Sequence, residues 1–364
     1  MKILALTKYD VRAASTRQRF VQYVPYLSAH GIEVEISPLL GDAYLRNLAQ
    51  GVSTSRAGIL PRYLGRARRL LRKDFDLLWV QYDVFPYLPS LFERLAGLGG
   101  KPIVCDFDDA IFHLYDQHKR ALVRRFLGSK LAPLLSRAAA CICGNAYLQA
   151  YAARWCPNSV VIPTVVDTER YLPAPRKADR QARPVVGWIG SPTTWANVEP
   201  LLPTILPLLA ELNADFHVVG AGPAARGIAG VTAIEWAEDR EIAAVQAMDI
   251  GIMPLLDRPF QRGKCGYKLI QYMACGLAVV ASPIGVNRTI VEDGATGLLA
   301  DGPGDWARAL RRLIADPELR RRMGAEGRRR AVAHYSLASQ QGILLETLRA
   351  AAEGRAARIP ASAS

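Results

Sequence analysis

Short apolar strands alternate with helices along this chain in two separate series. The strands of the first series begin near residues 3, 33, 77, 102, 140 and 160, and those of the second near 185, 216, 250 and 278. An uninterrupted apolar run such as Ala278–Ala281 indicates a strand that is buried on both faces of a parallel sheet. Alternation of such strands with helices produces parallel sheets covered by helices. Helices between the strands are expected at residues 20–30, 88–98 and 198–212, among others. The sequence therefore predicts an α/β chain with two Rossmann-like units.

Residues 262–299 join a basic, glycine-rich loop to a short helix, a glycine, a buried strand and a second glycine loop. The apolar residues of Tyr267–Ala274 share one face, which predicts a helix that Gly276 ends. The start of this helix presents free N–H groups and the positive end of a dipole, which suit a phosphate. Three cations gather there although they disfavour the helix itself: Arg262, Lys264 and Lys268. We expect an anion site, and a solvated basic loop is the alternative.

A charged, proline-rich stretch without apolar periodicity separates the two series. We place an interdomain linker there, at residues 170–184. Residues 1–169 then form an N-terminal domain and residues 185–334 a C-terminal domain, a natural division for 364 residues. The tail at 353–364 is predicted to be disordered.

Lysine and arginine outnumber the acidic residues, and the formal net charge is +13. Such a charge implies an anionic partner, which can be nucleic acid, an acidic membrane surface or a phosphorylated small molecule. Basic and aromatic residues do not interleave as they do in nucleic-acid-binding modules. We therefore exclude nucleic acid as a partner and retain the other two.

The six cysteines lack metal-site spacing, and Cys141 and Cys143 share one face of an apolar strand. This pattern predicts reduced thiols in the core of a cytoplasmic protein. No export signal is visible, because residues 8–10 interrupt the initial apolar run. No stretch approaches the roughly 18 to 20 apolar residues that span a bilayer. The expected location is the cytoplasm.

Four motifs lie in the second series, at residues 187–191 (G-W-I-G-S), 216–223 (F-H-V-V-G-A-G-P), 248–255 (M-D-I-G-I-M-P-L) and 268–282 (K-L-I-Q-Y-M-A-C-G-L-A-V-V-A-S). Together they resemble the C-terminal domain of retaining glycosyltransferases of family 4, among the glycosyl transferases group 1. Parts of residues 80–111 and 161–171 are similar to bacterial members of that family. The resemblance implies a GT-B fold, in which two Rossmann-like domains face each other across a cleft. It also implies that a final helix at 335–352 crosses back onto the N-terminal domain.

The resemblance implies transfer of a sugar from a nucleotide diphosphate, UDP or GDP, to an acceptor hydroxyl with retained anomeric configuration. No cofactor or metal is expected, and the acceptor is a glycan, a lipid-linked glycan or a small molecule. Catalysis would then rest on stabilising charge at the leaving diphosphate. This reading gives Lys268 and Arg262 catalytic roles. The expected sugar-donor contacts are Gly190, Ser191, Thr193, Lys264, Gly266, Gln271, Gly285 and Glu292.

The chain departs from the family pattern at two places. The family often carries two glutamates eight positions apart, where this chain has Gly263 and Gln271. A glutamine can bind hydroxyl groups but supplies no carboxylate charge. The Gly-Arg…Lys pair that usually follows the first strand of the C-terminal domain is also missing. The charge of the diphosphate must then be met by the 262–268 cluster or by N-terminal arginines such as Arg17.

Acidic residues follow the fourth strand, at the edge where ligands of parallel sheets bind. Asp106, Asp108 and Asp109 would face the acceptor there, and Asp108 or Asp109 would orient or deprotonate its hydroxyl. Capping of the next helix is an equally good explanation, and metal binding is a weaker one.

A strongly basic helix is predicted at residues 60–73. It would dock on an anionic membrane surface, or it is simply a solvated arginine-rich face. For the whole chain, a retaining glycosyltransferase is the leading interpretation. A non-catalytic protein that binds sugar nucleotides, or a sugar-nucleotide epimerase on the same fold, is the alternative.

Overall fold

The computed structural model of the chain describes residues 1–41, 44, 59–174 and 183–356. The chain divides into two compact units. Unit 1 comprises Met1–Thr164, Arg262–Cys265 and Gln340–Ser364, and unit 2 comprises Val165–Gln261 and Gly266–Ser339. Residues 175–182 of the predicted linker and 357–364 of the predicted disordered tail lie outside the described residues.

Unit 1 contains a six-stranded sheet in the order β2-β1-β3-β4-β5-β6, with every neighbouring pair parallel. Its strands are β1 (Lys2–Tyr9), β2 (Glu33–Leu40), β3 (Leu77–Gln81), β4 (Ile103–Phe107), β5 (Ala140–Cys143) and β6 (Ser159–Val161). Strands β3, β4 and β5 are buried at every residue, as the unbroken apolar runs predict. The strand order reverses between β1 and β3, so a crevice for ligands is expected at the carboxyl ends of these strands.

The helices of unit 1 are shorter than the sequence indicates. They are α1 (Ala14–Arg19), α2 (Val24–Ala29), α3 (Leu60–Leu71), α4 (His113–Asp116), α5 (Ala121–Leu127), α6 (Ala132–Leu135) and α7 (Ala146–Ala152). The helix predicted at 20–30 begins after Phe20, whose φ −127° and ψ −64° are not helical, as a 3-10 turn, Val21–Tyr23, and continues as α2. The helix predicted at 88–98 is a 3-10 helix, Ser90–Gly99, which Pro89 precedes and Gly100 ends with φ +68°.

Unit 2 contains a second parallel six-stranded sheet, in the order β12-β11-β10-β7-β8-β9. Its strands are β7 (Val185–Ile189), β8 (Asp215–Val219), β9 (Thr232–Ile234), β10 (Ile250–Met253), β11 (Ala278–Ala281) and β12 (Gly297–Leu299). The order reverses between β7 and β10. The residues beyond the carboxyl ends of these two strands therefore form the expected ligand crevice of this sheet.

The helices that follow β7 in the sequence are α8 (Pro192–Trp195), α9 (Leu202–Glu211), α10 (Glu241–Gln246), α11 (Pro259–Arg262), α12 (Tyr267–Ala274), α13 (Asn287–Ile290), α14 (Pro303–Ala315), α15 (Pro317–His334) and α16 (Leu337–Ala352). Helix α12 and strand β11 have the predicted bounds. The helix predicted at 198–212 begins as a 3-10 turn, Glu199–Leu201, because prolines remove the N–H groups that an α-helix needs.

All six cysteine side chains are buried, which agrees with their predicted place in the core. The sulfur atoms of Cys141 and Cys143 are 3.7 Å apart on one face of β5. None of the helices in the described ranges is both long and apolar enough to cross a membrane.

Candidate functional site

Two glycine loops pack closely at the carboxyl edge of the unit 2 sheet. Gly190 follows β7, and its N–H donates to the carbonyl of Val219 at 3.0 Å. Gly220 follows β8 with φ +80°, and a Cβ there would lie 2.3 Å from the carbonyl oxygen of Gly190. Any side chain at Gly220 would therefore push the two loops apart, so glycine keeps this edge narrow.

The loop after Gly190 carries three hydroxyl groups that bond with one another. Ser191 Oγ lies 2.9 Å from Thr193 Oγ1, and the Ser191 N–H donates to Thr194 Oγ1 at 3.1 Å. Ser191 and Thr194 form a capping box at the start of helix α8. The predicted contacts Ser191 and Thr193 thus lie together on an exposed turn beside β7.

Helix α12 begins at Gly266, which has φ +68°. A Cβ on Gly266 would fall 2.2 Å from the Cδ1 atom of Ile290, so the position has no room for a side chain. One turn in, the ammonium of Lys268 stands 5.6 Å from the ring centroid of Trp188 in β7. The geometry therefore brings the predicted residue Lys268 to the strand that carries the Gly190 loop, with a cation–π contact.

Gln271 lies inside a buried hydrogen-bond cluster. Its Nε2 donates to Glu241 Oε1 at 2.8 Å and to the hydroxyl of Tyr171 at 3.1 Å. Glu241 also accepts from the hydroxyl of Tyr171 and, at 2.6 Å, from Trp236 Nε1. Burial and the charge of Glu241 raise the pKa of Tyr171. Glu241 was missed by the sequence reading, and no short-range signal connects it to Gln271, which lies thirty positions away.

The other two predicted contacts of unit 2 lie beyond β11. Gly285 has φ +55° in the loop before helix α13. Glu292 is half exposed and forms an ion pair with Arg330 of helix α15. Its carboxylate is thus occupied by a cation of its own unit.

Unit 1 contains two members of the predicted cation cluster, because residues 262–265 belong to that unit. The ammonium of Lys264 lies 2.9 Å from Asp109 Oδ1 and 3.0 Å from Asp109 Oδ2. Burial lowers the pKa of Lys264, but the charge and hydrogen bond of Asp109 outweigh it and the pKa is raised. Arg262 is exposed, and Lys268 belongs to unit 2. The predicted cluster is therefore divided between the two units.

The peptide segment around Gly263 fits tightly into unit 1. A Cβ on Gly263 would lie 2.4 Å from the Cβ of Ala110. The side-chain amide of Asn145 donates to the carbonyl oxygens of Gly263 and Lys264 at 3.0 and 3.1 Å. A glutamate at position 263 would not fit in this arrangement.

Asp108 receives a hydrogen bond from the hydroxyl of Tyr82. Burial and the charge of Asp109 raise the pKa of Asp108 to about 7, and Arg19 and the Tyr82 bond counteract part of this effect. Tyr82 itself has φ +63°, which is unusual for a large side chain. A carboxyl group with this pKa can exchange protons near neutral pH.

Asp106 is 1% exposed, and its side chain is enclosed by the core and not presented to a ligand. Its Oδ1 accepts from Arg19 Nε at 2.8 Å, and Arg19 also donates to the carbonyl of Ile162 at 2.8 Å. Burial raises the pKa of Asp106, and Arg19 opposes this. Arg17, the N-terminal arginine predicted to meet the charge of the diphosphate, is half-buried and donates to the carbonyl of Arg12 at 2.5 Å. Arg19 is the arginine that pairs with Asp106.

Within the part of the chain that the structure describes, no three side chains of His, Cys, Asp or Glu converge as metal ligands would.

The basic helix α3 uses two of its arginines inside unit 1. Arg66 is buried and donates to the carbonyl oxygens of Val84 and Ser37 at 3.1 and 3.0 Å. Arg69 pairs with Glu35 and Asp74, each at 2.6 Å. Arg66 and Arg69 of the predicted basic helix therefore form contacts within unit 1.

Known proteins are similar to this chain, above all to its second half. Residues 183–316 match the family Glycosyl transferases group 1. The chain is 29% identical over 230 residues to the D-inositol 3-phosphate glycosyltransferase of Geodermatophilus obscurus, covering 55% of this chain and 49% of that protein. It is 32% identical over 227 residues to the enzyme of that name from Nocardia farcinica, covering 52% and 47%. The chain thus spans about half the length of these relatives.

Solved structures have a similar fold along nearly all of the chain. HepE of Anabaena, solved with UDP and glucose, matches with a TM-score of 0.70 at 17% identity, covering 96% of this chain and 100% of that one. Sucrose-phosphate synthase of Thermosynechococcus elongatus matches with a TM-score of 0.69 at 18% identity and the same coverage. The predicted two-domain α/β GT-B fold and the resemblance to group 1 glycosyltransferases are confirmed. Membership of family 4 and retention of configuration stay predictions.

Proposed function

We propose that the chain is a retaining, metal-independent glycosyltransferase that moves a hexose from a nucleotide-diphosphate sugar to an acceptor hydroxyl. The observation that carries this proposal is the match of residues 183–316 to Glycosyl transferases group 1. That segment contains the Gly190 loop and the start of helix α12, and both are suited to bind a diphosphate. The pathway we propose is the synthesis of a cell-surface polysaccharide or glycoconjugate at the cytoplasmic side of the membrane.

On the sugar-donor side, we assign the diphosphate to Lys268 and the first N–H groups of helix α12. An anion at a helix N-terminus gains from the free N–H groups and from the dipole. The hydroxyls of Ser191 and Thr193 lie beside the same strand as Lys268 and would add hydrogen bonds to phosphate oxygens. UDP or GDP is the proposed nucleotide, and the UDP bound by HepE supports the former.

On the acceptor side, we assign proton transfer to Asp108. During transfer the bond from the anomeric carbon to the diphosphate oxygen breaks, and a bond to the acceptor oxygen forms on the same face. The acceptor hydroxyl gives its proton to a base, and the pKa of Asp108, about 7, suits it to this task. Asp109 pairs with Lys264, which offsets part of the charge that Asp109 places beside the base.

A panel of UDP-, GDP- and ADP-sugars, with glycan and lipid-linked acceptors, tests the proposal. Transfer with retained configuration is the expected result. Binding without transfer to any acceptor would favour the non-catalytic alternative. Conversion of a nucleotide sugar to its epimer without an acceptor would favour the epimerase alternative.

The role of Lys268 is tested by Lys268→Ala, which we expect to lower transfer by about 10²-fold or more, as the loss of one charge stabiliser does. Arg312→Ala is the matched control, because it removes one cation from an exposed face of unit 2. Near-wild-type turnover by the Lys268 variant would overturn the assignment.

We further propose that helix α3 contacts an anionic membrane surface. Leu60, Leu64 and Leu71 lie at spacings of four and seven along α3, hence on one side, and are 63%, 51% and 64% exposed. Arg68 and Arg72 are exposed on the adjoining side. Apolar residues next to arginines are typical of helices that lie in a membrane interface.

Flotation with vesicles of phosphatidylglycerol and phosphatidylcholine tests this proposal. We expect Arg68→Gln/Arg72→Gln to reduce the bound fraction severalfold, because each basic residue near such a surface contributes about 1 kcal/mol. The control Arg312→Gln/Arg322→Gln removes two exposed cations from unit 2. Equal binding by the two double variants would refute a role for α3.

A further inference from the structure

The buried cluster around Gln271 fixes which atom of this side chain is available to a ligand. Gln271 is 2% exposed, and Glu241 is 8% exposed. Nε2 of Gln271 gives one N–H to Glu241 and the other to the hydroxyl of Tyr171. Both donor groups of the amide are thereby used. The carbonyl oxygen Oε1 is what the side chain has left to offer, and it can only accept hydrogen bonds.

The carboxylate of Glu241 determines this orientation. An ionised carboxylate has no hydrogen to donate, so only the N–H side of the amide can face it. The carboxylate is itself held by the hydroxyl of Tyr171 on Oε1 and by the indole N–H of Trp236 on Oε2. These partners come from three separate stretches of unit 2, which makes the arrangement stiff.

We propose that Glu241 is a positioning residue that holds the amide of Gln271 with its carbonyl oxygen presented to a hydroxyl group of the nucleotide sugar. This inference rests on the proposed function, since it takes Gln271 as a contact of the sugar donor. It also explains the amide at position 271. The cluster contains one carboxylate, that of Glu241, and it lies behind the amide group that would face the ligand.

A glutamate at position 271 would conflict with Glu241. It would replace the 2.8 Å hydrogen bond by two carboxylates at the same separation, and it would have no N–H for Tyr171. Two buried like charges at this distance raise the pKa of the pair, so one of them takes up a proton. The hydroxyl of Tyr267, 3.5 Å from that of Tyr171, is a further titratable group beside the cluster, and it is no cation.

The pH dependence of this conflict has a definite sign. Raised carboxyl pKa values in the folded state mean that the variant is most stable below the unfolded-state pKa. Stability is then lost as pH rises through the raised pKa of the pair. Gln271→Glu should therefore show a loss of stability that is large at neutral and alkaline pH and small in acid.

A four-variant square tests the proposal: the wild type, Glu241→Gln, Gln271→Glu and the double swap Glu241→Gln/Gln271→Glu. We expect Gln271→Glu to lower Tm by roughly 4 °C or more above neutral pH, given the usual relation between stability and Tm. The double swap restores one amide and one carboxylate, and it should recover most of this loss. Glu235→Gln, an exposed glutamate in the same unit, is the matched control.

Binding of UDP and UDP-glucose, measured by calorimetry, gives the second readout. Each single variant should bind roughly 10-fold more weakly than the wild type, as the loss of one hydrogen bond predicts. The double swap should bind close to wild type, because an oxygen acceptor again faces the ligand. Additive losses in Tm and in affinity, with no recovery in the double swap, would overturn the inference.

The two proposals fail in different ways. If the wild type binds no sugar nucleotide and transfers no sugar, the proposed function fails. The Tm values of the four variants would still measure the coupling between Glu241 and Gln271. If the wild type is active and the losses of the two single variants simply add in the double swap, only the positioning role of Glu241 fails.

Discussion

Removal of the phenol hydroxyl of Tyr82 isolates the hydrogen bond that Asp108 receives. The change is Tyr82→Phe, which keeps the ring in its buried position and the backbone at φ +63°. The tyrosine stays a neutral donor over the assay range, because burial and the charge of Asp108 raise its pKa well above the ordinary value. The variant therefore removes a hydrogen bond from the ionised carboxylate and no charge.

The size of the effect follows from the strength of that bond. A hydrogen bond to a charged group contributes about 1.5–3 kcal/mol, and about 1.36 kcal/mol corresponds to one pKa unit. Loss of the bond should therefore raise the pKa of Asp108 from about 7 to about 8–9. Asp109, Asp106 and Arg19 also act on this carboxyl group, and the variant leaves all three in place.

Initial transfer rates as a function of pH measure the effect. A general base acts only when deprotonated, so the rate falls as pH decreases through the pKa of Asp108. The acid limb of Tyr82→Phe should lie about 1–2 pH units above that of the wild type. Tyr63→Phe is the control, because it removes a phenol hydroxyl of unit 1 that donates to the carbonyl of Pro86 at 2.6 Å.

The result that refutes this reasoning is an acid limb of Tyr82→Phe that coincides with the wild-type limb while Asp108→Asn retains full activity. The proton would then leave by another route, such as the leaving diphosphate itself. A limb that moves in Tyr63→Phe as well would show that the shift reflects general loosening of unit 1.

Three further variants test the structure itself. Arg19→Met should lower the free energy of unfolding, measured by denaturant titration, by about 3–5 kcal/mol, because it leaves Asp106 in the core without its ion-pair partner. The double variant Arg19→Met/Asp106→Leu should recover much of this loss. Gly266→Ala should cost at least about 1–2 kcal/mol for its left-handed backbone alone, and a Tm equal to that of the wild type would contradict the 2.2 Å approach to Ile290. Asp108→Asn should stabilise the protein above pH about 7, because the pKa of Asp108 is raised and its ionised form therefore destabilises the folded state. In acid, where Asp108 is protonated, the variant should lose this advantage.

The elements that the sequence predicted to the residue are those whose signals are local. Helix α12 and strand β11 are bounded by Gly266 and Gly276, both with positive φ, and their apolar pattern needs no distant information. The helix predicted at 20–30 differs at its start, because the conformation of Phe20, which is wholly buried, depends on packing that the local pattern does not contain. Prolines and glycines around residues 90–99 likewise favour the tighter 3-10 helix over an α-helix.

The site was predicted less well than the fold because its contacts join residues that are far apart in the chain. The spacing of Arg262, Lys264 and Lys268 indicated one cation cluster. The boundary between the two compact units lies after Cys265, however, so Lys268 belongs to a different unit from the other two. Lys264 finds Asp109 across 155 positions, and Arg19 finds Asp106 across 87. Such pairs follow from strand order and crossover, which residue type and local period do not encode.

The three aspartates after β4 show how position alone gives one residue type three different properties. Asp106 is wholly buried against Arg19, and Asp109 faces Lys264, so each carboxylate has a cation at hydrogen-bond distance. Asp108 lies between them in sequence and takes its side-chain hydrogen bond from a neutral phenol. Burial and a like charge beside it raise the pKa of this carboxyl group more than the charge of Arg19 and the phenol bond lower it. The two ion pairs set the charges around Asp108 and are therefore part of what makes it the proposed base. Lys264→Met should raise the pKa of Asp108 further, because Lys264 would no longer offset the charge of Asp109. An acid limb that moves to lower pH in that variant would contradict this account.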